Sequence, residues 1–536
     1  MMADTPIVSL ECGKIMGKMA DEIYLFEGIP YASVKERFLP PEDVKPWGGI
    51  RQCSYPGPKC PQPSAFSGQT DSRSHEFCAG EEQKYRRVFR QMQIQTTGLD
   101  LEILLQPEKE DENCLCLNIL TPAVDLKKRP VLVYIHGGGY TTGSGNAALA
   151  AREFVRIQDT VLVSVNERLG AFGYLYLGKY SQKYEDSGNL GLLDICWALS
   201  WVRKNIALFG GDPENVTLIG ESGGAAKICA LLSMKDAEYL FHKAICISGA
   251  MPAGTLSCQE AADNTAYILR KLGIEEDSWE EILHVPAREL ADLSTDAELA
   301  RRNPLIFLPV GDDKHIHYNP DFIYPSGGWS AAVPIIAGSS EDECGFLFSE
   351  EKMSKEEGIN RLTAGVKTCF GRTEAMSASI AHKLYETAQA ECIKQEEPWH
   401  VFIKILSQIS VLGAGAYRLA ETRTRQGDAP CFLYDMALDS KLDPLTGSAC
   451  AWHVADLMDF FYKKTEPEHL KIANALSDMV GCFLRTGSPF EDKYGWEAYS
   501  LDERRMMVFD SDIRFEEDPM PKTRELCSRL NIRQLV

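Results

Sequence analysis

A serine attacks an acyl carbon only when its hydroxyl is freely presented, relieved of its proton by a base, and matched by donors for the oxyanion that forms. The pentapeptide Gly220-Glu221-Ser222-Gly223-Gly224 meets the first condition. It follows the strand-like run Asn215–Ile219 and precedes the helix-like run Ala225–Leu232. An abrupt strand-to-helix turn between small residues strains its central residue and exposes that side chain above the sheet. In a chain with 42 glycines the pentapeptide alone is a weak signal; its flanking elements make Ser222 the candidate nucleophile.

Oxyanion donors are expected from His136-Gly137-Gly138-Gly139-Tyr140, which directly follows the apolar run ending at Ile135. Backbone amides of such a loop can turn inward because no Cβ blocks close approach. The base is sought among ten histidines. His453 lies in the small-residue segment Gly447–Leu457, after the strand-like Cys431–Tyr434 and downstream of Ser222, as a serine, acid, histidine order requires. The other contexts are worse: His75, His400 and His469 fall in polar insertions or on helix surfaces, His242 and His382 in helical runs, His315 and His317 in a charged loop. For the acid, Ala337–Phe346 follows an apolar run and carries Glu341, Asp342 and Glu343. A buried carboxylate there would fix the imidazole tautomer and stabilise the imidazolium, and spacing leaves all three open.

Short, continuous apolar runs must carry these groups: Val131–Ile135, Val161–Val165, Asn215–Ile219, Ala244–Ile247 and Val333–Ile336. Such runs suggest strands buried on both faces. Between them lies a helical pattern over Leu190–Phe209, with Leu192, Leu193, Cys196, Leu199, Val202 and Ile206 at three- and four-residue intervals. The alternation implies an α/β fold with a mostly parallel, doubly wound sheet flanked by helices, and active groups at the carboxyl ends of its strands. Two stretches read as insertions, a loop or lid over about 60–114 and a helical cap over about 349–427. No repeat or Pro/Gly/Ser-rich linker divides the chain, so 1–536 is expected to form a single domain.

Composition narrows the partners. A hydrophobic share of 44% and a charged share of 25% are ordinary for a globular protein with a large core. A formal net charge of -21 works against nucleic acid and anionic membrane surfaces. The N-terminal residues show no basic segment followed by an apolar one, and no apolar stretch is long enough to cross a bilayer, so a cytoplasmic location is expected. The 17 cysteines, several of them in apolar runs (Cys196, Cys229, Cys246), read as buried reduced thiols. In Cys114-Leu115-Cys116 a strand would turn the two thiols to opposite sides, which excludes a shared metal ion.

Across nearly its whole length the sequence resembles the type-B carboxylesterases, the cholinesterase-like branch of the α/β-hydrolase fold. The resemblance rests on Phe26-Glu27-Gly28-Ile29-Pro30-Tyr31-Ala32, Arg37-Phe38 and Trp47, then Cys60-Pro61-Gln62 and Glu112–Ile119. It continues through His136–Gly139, Asn166–Gly173 and Gly210-Gly211-Asp212-Pro213 into the Ser222 elbow. It implies Ser222 as nucleophile, His453 as general base and then acid, and Glu343 as the orienting carboxylate, with Asp342 in reserve. It further implies oxyanion donors at the amides of Gly138, Gly139 and Gly223, and hydrolysis of a small-molecule ester through an acyl-enzyme, with no metal or organic cofactor. Cys60 and Cys114 match the family's first disulfide.

Departures from the family pattern are local. Gly223 stands where alanine is usual, which keeps the amide and should loosen the turn. Cys344 replaces the glycine after the acid, Asn113 a commoner aspartate, and Glu167 a usual aromatic. No aromatic choline-site residue can be placed between Cys60 and Cys114, which argues against acetylcholine. The same triad could serve amides, thioesters or a specialised polycarboxylate ester. A non-catalytic recognition role is the remaining reading, opposed by the presence of all three triad residues. Oligomeric state is left open.

Overall fold

The computed structural model describes residues 6–63, 108–250, 254–296, 298–299, 306–319, 328–347, 353–370, 373–392, 397–438, 451, 467–490 and 493–529. Most of the loop expected over 60–114, and His453 itself, lie outside them.

The central sheet is built from β1 (Lys18–Ala20), β2 (Ile23–Pro30), β3 (Cys116–Thr121), β4 (Arg129–Ile135), β5 (Val161–Val165), β6 (Gly211–Glu221), β7 (Lys243–Ile247), β8 (Ile335–Ser340), β9 (Cys431–Met436), β10 (Arg505–Phe509) and β11 (Ile513–Glu517). Their spatial order is β11-β10-β9-β8-β7-β6-β4-β5-β3-β2-β1. From β5 to β10 every neighbouring pair is parallel. The outer strands are antiparallel at both ends. A small separate sheet pairs Ile7–Leu10, Gly13–Met16 and Ile50–Gln52.

The continuous apolar runs are explained by burial on both faces. Val131, Val133, Ile135, Val163, Leu218 and Cys246 point into one core, while Leu132, Tyr134, Leu162, Ile219 and Ile245 point into the other. Successive strand residues alternate faces, so a strand covered on both sides has no polar positions to alternate with. Helix α1 (Arg152–Gln158) covers the second face, α2 (Leu190–Asn205) and α3 (Gly223–Leu231) the first. The α2 pattern extends as one 3₁₀ turn over Ile206–Phe209 and stops at Gly210 with φ 80°. The β8 strand begins at Ile335, two residues after its apolar run starts, because Pro334 has no amide to donate.

Four helices occupy residues 355–426: α4 (Lys355–Phe370), α5 (Glu374–Glu391), α6 (Pro398–Ile409) and α7 (Val411–Gln426). The first three bury a core of their own around Leu362, Leu384, Tyr385 and Phe402. The last sends Ala416, Leu419 and Ala420 into the main core, and α8 (Pro467–Thr486) closes the opposite face with Ile472, Leu476 and Phe483. Among the described residues no single helix is long and apolar enough to cross a membrane.

One half-buried histidine pins distant segments together. His315 has Nδ1 2.9 Å from Asp236 Oδ2 and Nε2 2.9 Å from Asp186 Oδ1. Burial disfavours the charged ring, but the two carboxylates outweigh it and raise its pKa to about 9. A raised histidine stabilises the fold fully below the unfolded value near 6.5, and that contribution disappears as pH rises through about 9. His315→Gln is therefore expected to cost about 2 kcal/mol in urea melts at pH 6, with the gap to wild type closing above pH 9.

Candidate active site

Strand β6 ends at Glu221 and α3 starts at Gly223, leaving Ser222 alone in the turn with φ 53° and ψ −122°. That conformation costs a non-glycine residue on the order of 1–3 kcal/mol and persists only where the surroundings impose it. Here the Ser222 amide donates to the Ile247 carbonyl of β7 at 2.9 Å, and its carbonyl accepts from the Ala226 amide at 3.1 Å. The residue is thus fixed on one side by the sheet and on the other by the helix. Its backbone is committed, and its side chain stands at the carboxyl end of the strands.

The loop after β4 lies directly against this turn. Gly138 and Gly139 both have positive φ, 90° and 65°. The Gly138 carbonyl accepts from the Thr142 amide at 3.0 Å and the Thr142 hydroxyl at 3.1 Å, closing the loop on itself. Gln62 fixes the far end by accepting from the Gly143 amide at 3.1 Å. Tyr140 is buried edge-on to Tyr174, ring centroids 5.1 Å apart, and its carbonyl accepts from the Gly170 amide at 2.7 Å.

Gly223 proves tighter than the expected loosened turn. A methyl there would meet the Gly139 carbonyl oxygen, amide nitrogen and Cα at 2.3, 2.4 and 2.5 Å. The space an alanine would fill is occupied by the backbone of the glycine loop, which seats Gly139 against Gly223 beside Ser222. Gly223→Ala is expected to push the loop away and lower kcat by about 10², within the range for loss of an oxyanion donor, with little change in KM. Steady-state kinetics normalised by active-site titration would measure it.

Past the end of β8 the three carboxylates have separate environments. Glu341 pairs with Lys404 of α6 at 2.6 Å and is partly exposed. Asp342 is buried, and its amide donates to the Ala451 carbonyl at 3.0 Å. Glu343 has no exposed surface, and its Oε1 accepts from the Ser340 amide at 2.7 Å. Because β6, β7 and β8 are adjacent and parallel, this segment lies at the same end of the sheet as Ser222. The Asp342 bond holds Ala451, two residues before His453, against the acidic segment.

Three buried ionic residues behind the glycine loop were not singled out as site residues in the sequence. Lys227 of α3 and Glu167 are both fully buried and form an ion pair. The Lys227 ammonium also donates to the His136 carbonyl at 3.3 Å. His136 places Nε2 3.2 Å from Glu167 Oε2 and Nδ1 2.8 Å from the Gly137 carbonyl. Burial alone would push the Glu167 carboxyl up, yet the His136 ring and the Lys227 ammonium hold it down at about 2. The available signal was a pair of opposite charges in otherwise apolar surroundings: a lysine inside the helix after the nucleophile, and a glutamate at a position where an aromatic is usual.

Neighbouring motif residues have structural work. Arg168 forms a buried two-pronged pair with Asp194, Nε to Oδ2 at 2.8 Å and an Nη to Oδ1 at 2.6 Å. Cys60 and Cys114 are buried free thiols. Cys60 Sγ accepts from the Leu169 amide at 3.2 Å, and a hydrogen bond with Cys60, together with burial, pushes the Cys114 thiol well up. Cys116 turns instead toward the Pro58 carbonyl, 3.5 Å away. Among the described residues no cluster of His, Cys, Asp and Glu has the makings of a metal site.

The family model described as "Carboxylesterase family" matches residues 4–525. A para-nitrobenzyl esterase of Bacillus subtilis (strain 168) is 29% identical over 536 residues, covering 97% of this chain and 98% of that protein. A phenmedipham hydrolase of Pseudarthrobacter oxydans is 30% identical, with 95% of each chain covered. Among solved structures, a carboxylesterase of Geobacillus stearothermophilus superposes with a TM-score of 0.74 at 28% identity, covering 97% of this chain and 99% of that one. The sheet and its helices are therefore the α/β-hydrolase fold expected from the sequence. The chain belongs to the carboxylesterase family and is a carboxylic-ester hydrolase.

Proposed function

We propose that this esterase acts through Ser222 as nucleophile, His453 as the base that takes its proton and returns it to the leaving alcohol, and Glu343 as the carboxylate that orients His453. The amides of Gly138, Gly139 and Gly223 receive the oxyanion of each tetrahedral intermediate. The observation that carries the reading is the Ser222 turn, with φ 53° and the Gly139 backbone seated against Gly223. The buried carboxylate of Glu343 and the tether from Asp342 to Ala451 support the other two roles. Hydrolysis needs only water as second substrate, and the acyl-enzyme divides one difficult displacement into two easier ones.

The substrate is a small-molecule ester with no nucleic acid or membrane partner, in keeping with a net charge of -21. We read the chain as one catalytic domain whose pocket is completed by the helices of 355–426. A cytoplasmic location accords with cysteines buried singly among apolar side chains, as at Cys196, Cys431 and Cys527. An organophosphonate probe followed by peptide mapping tests the assignment. A single adduct on Ser222 supports it, and an adduct on any other residue refutes it.

A further inference from the structure

We propose that Lys227, Glu167 and His136 form a buried ionic brace that positions and polarises the glycine loop, so that the three are positioning residues for oxyanion stabilisation. The proposal deepens the reading above and rests on Gly138, Gly139 and Gly223 as the donors.

Nδ1 of His136 faces the Gly137 carbonyl at 2.8 Å, and Nε2 faces the Glu167 carboxylate at 3.2 Å. The Gly137 carbonyl can only accept, so Nδ1 of His136 carries a hydrogen and donates to it. Lys227 and Glu167, both fully buried, form the ion pair at the centre of the brace. Glu221 is the acidic neighbour on the other side, since a Cβ on Gly137 would stand 2.5 Å from its Oε2. The brace therefore places the Lys227 ammonium between the His136 carbonyl of the loop and the Glu167 carboxylate.

The contacts also run through the correct peptides. The Lys227 ammonium grips the His136 carbonyl, whose peptide ends in the Gly137 amide. The His136 Nδ1–H donates to the Gly137 carbonyl, whose peptide ends in the Gly138 amide, a proposed donor. A charged donor on a peptide carbonyl strengthens the N–H at the other end of the same peptide, because hydrogen bonds in series polarise one another. Lys227 belongs to α3, the helix that begins at Gly223, so the brace ties the amides on both sides of the oxyanion site into one rigid unit. Preorganised donors of this kind act on charge that develops only in the transition state, so the brace should be felt in kcat rather than in KM.

The test is the double variant Lys227→Met with Glu167→Leu, which removes both charges together and leaves neither stranded. Each preparation is titrated with the organophosphonate so that kcat refers to competent sites. Affinity for a trifluoromethyl ketone, which forms a charged adduct like the intermediate, is measured alongside. Relative to wild type, kcat should fall about 10- to 100-fold with KM within about threefold, and ketone affinity should fall in parallel with kcat/KM. A double variant whose kcat and ketone affinity stay within about threefold of wild type overturns the proposal, as does a loss seen only in KM or only in melting temperature. Should that variant fail to fold, Glu167→Gln, of nearly the same shape, carries the same comparison, with a fall in kcat of about tenfold expected and no change overturning the proposal. Absence of phosphonylation at Ser222 in the wild-type enzyme would instead defeat the nucleophile assignment, so the two failures are told apart.

Discussion

Ser222→Ala should lower kcat for a simple ester by on the order of 10⁶ while leaving substrate binding nearly unchanged. The size follows from what is removed. Without the hydroxyl no acyl-enzyme can form, and the histidine and acid then have nothing to activate, so their contributions vanish with it. Residual hydrolysis of about 10³ to 10⁴ over water would come from the oxyanion donors and substrate positioning alone. The substitution should also relieve nothing in the fold, because the strained φ of 53° is imposed by bonds to Ile247 and Ala226 that alanine keeps. Burst kinetics with a chromogenic ester check both points: the burst should vanish, and the melting temperature should stay within a few degrees. A variant that kept its burst would mean that acylation occurs elsewhere.

The second large effect separates the acids. Glu343→Gln should lower kcat by about 10⁴, since the amide keeps the shape but presents the wrong partner to the imidazole and loses the charge that stabilises the imidazolium. Asp342→Asn should cost far less activity, because the tether to Ala451 runs through the Asp342 backbone rather than its side chain. Glu341→Gln should be nearly silent, as that carboxylate is partly exposed and paired with Lys404. The ordering of the three kcat values is the measurement. If Asp342→Asn fell further than Glu343→Gln, the orienting role would pass to Asp342.

The sheet was legible because its strands announce themselves. Val131–Ile135 is apolar at every position and Val161–Val165 at every position but Ser164, and only burial on both faces makes that tolerable. The elbow was legible for a related reason: small residues on both sides of one serine have little other use between a strand and a helix. The acid was harder, because adjacent carboxylates differ in how they are buried, and that is decided by segments far away, such as Lys404 and Ala451. Gly223 was half legible. Its amide was expected as a donor, but the closeness of Gly139 depends on how the loop after β4 folds back, to which sequence spacing gives no access. Lys227 was read as one residue of an apolar helix, since its partner lies 60 positions earlier in the chain.

That distance along the chain gives the Lys227–Glu167 pair a historical consequence. Starting from a relative with uncharged residues at both sites, either charge arriving alone would be buried without its counterion, at a cost of about 3–5 kcal/mol, a large part of a domain's stability. Once both are present, losing either one meets the same barrier. The two positions are thus expected to be inherited together, and descendants of this protein should keep both charges or neither.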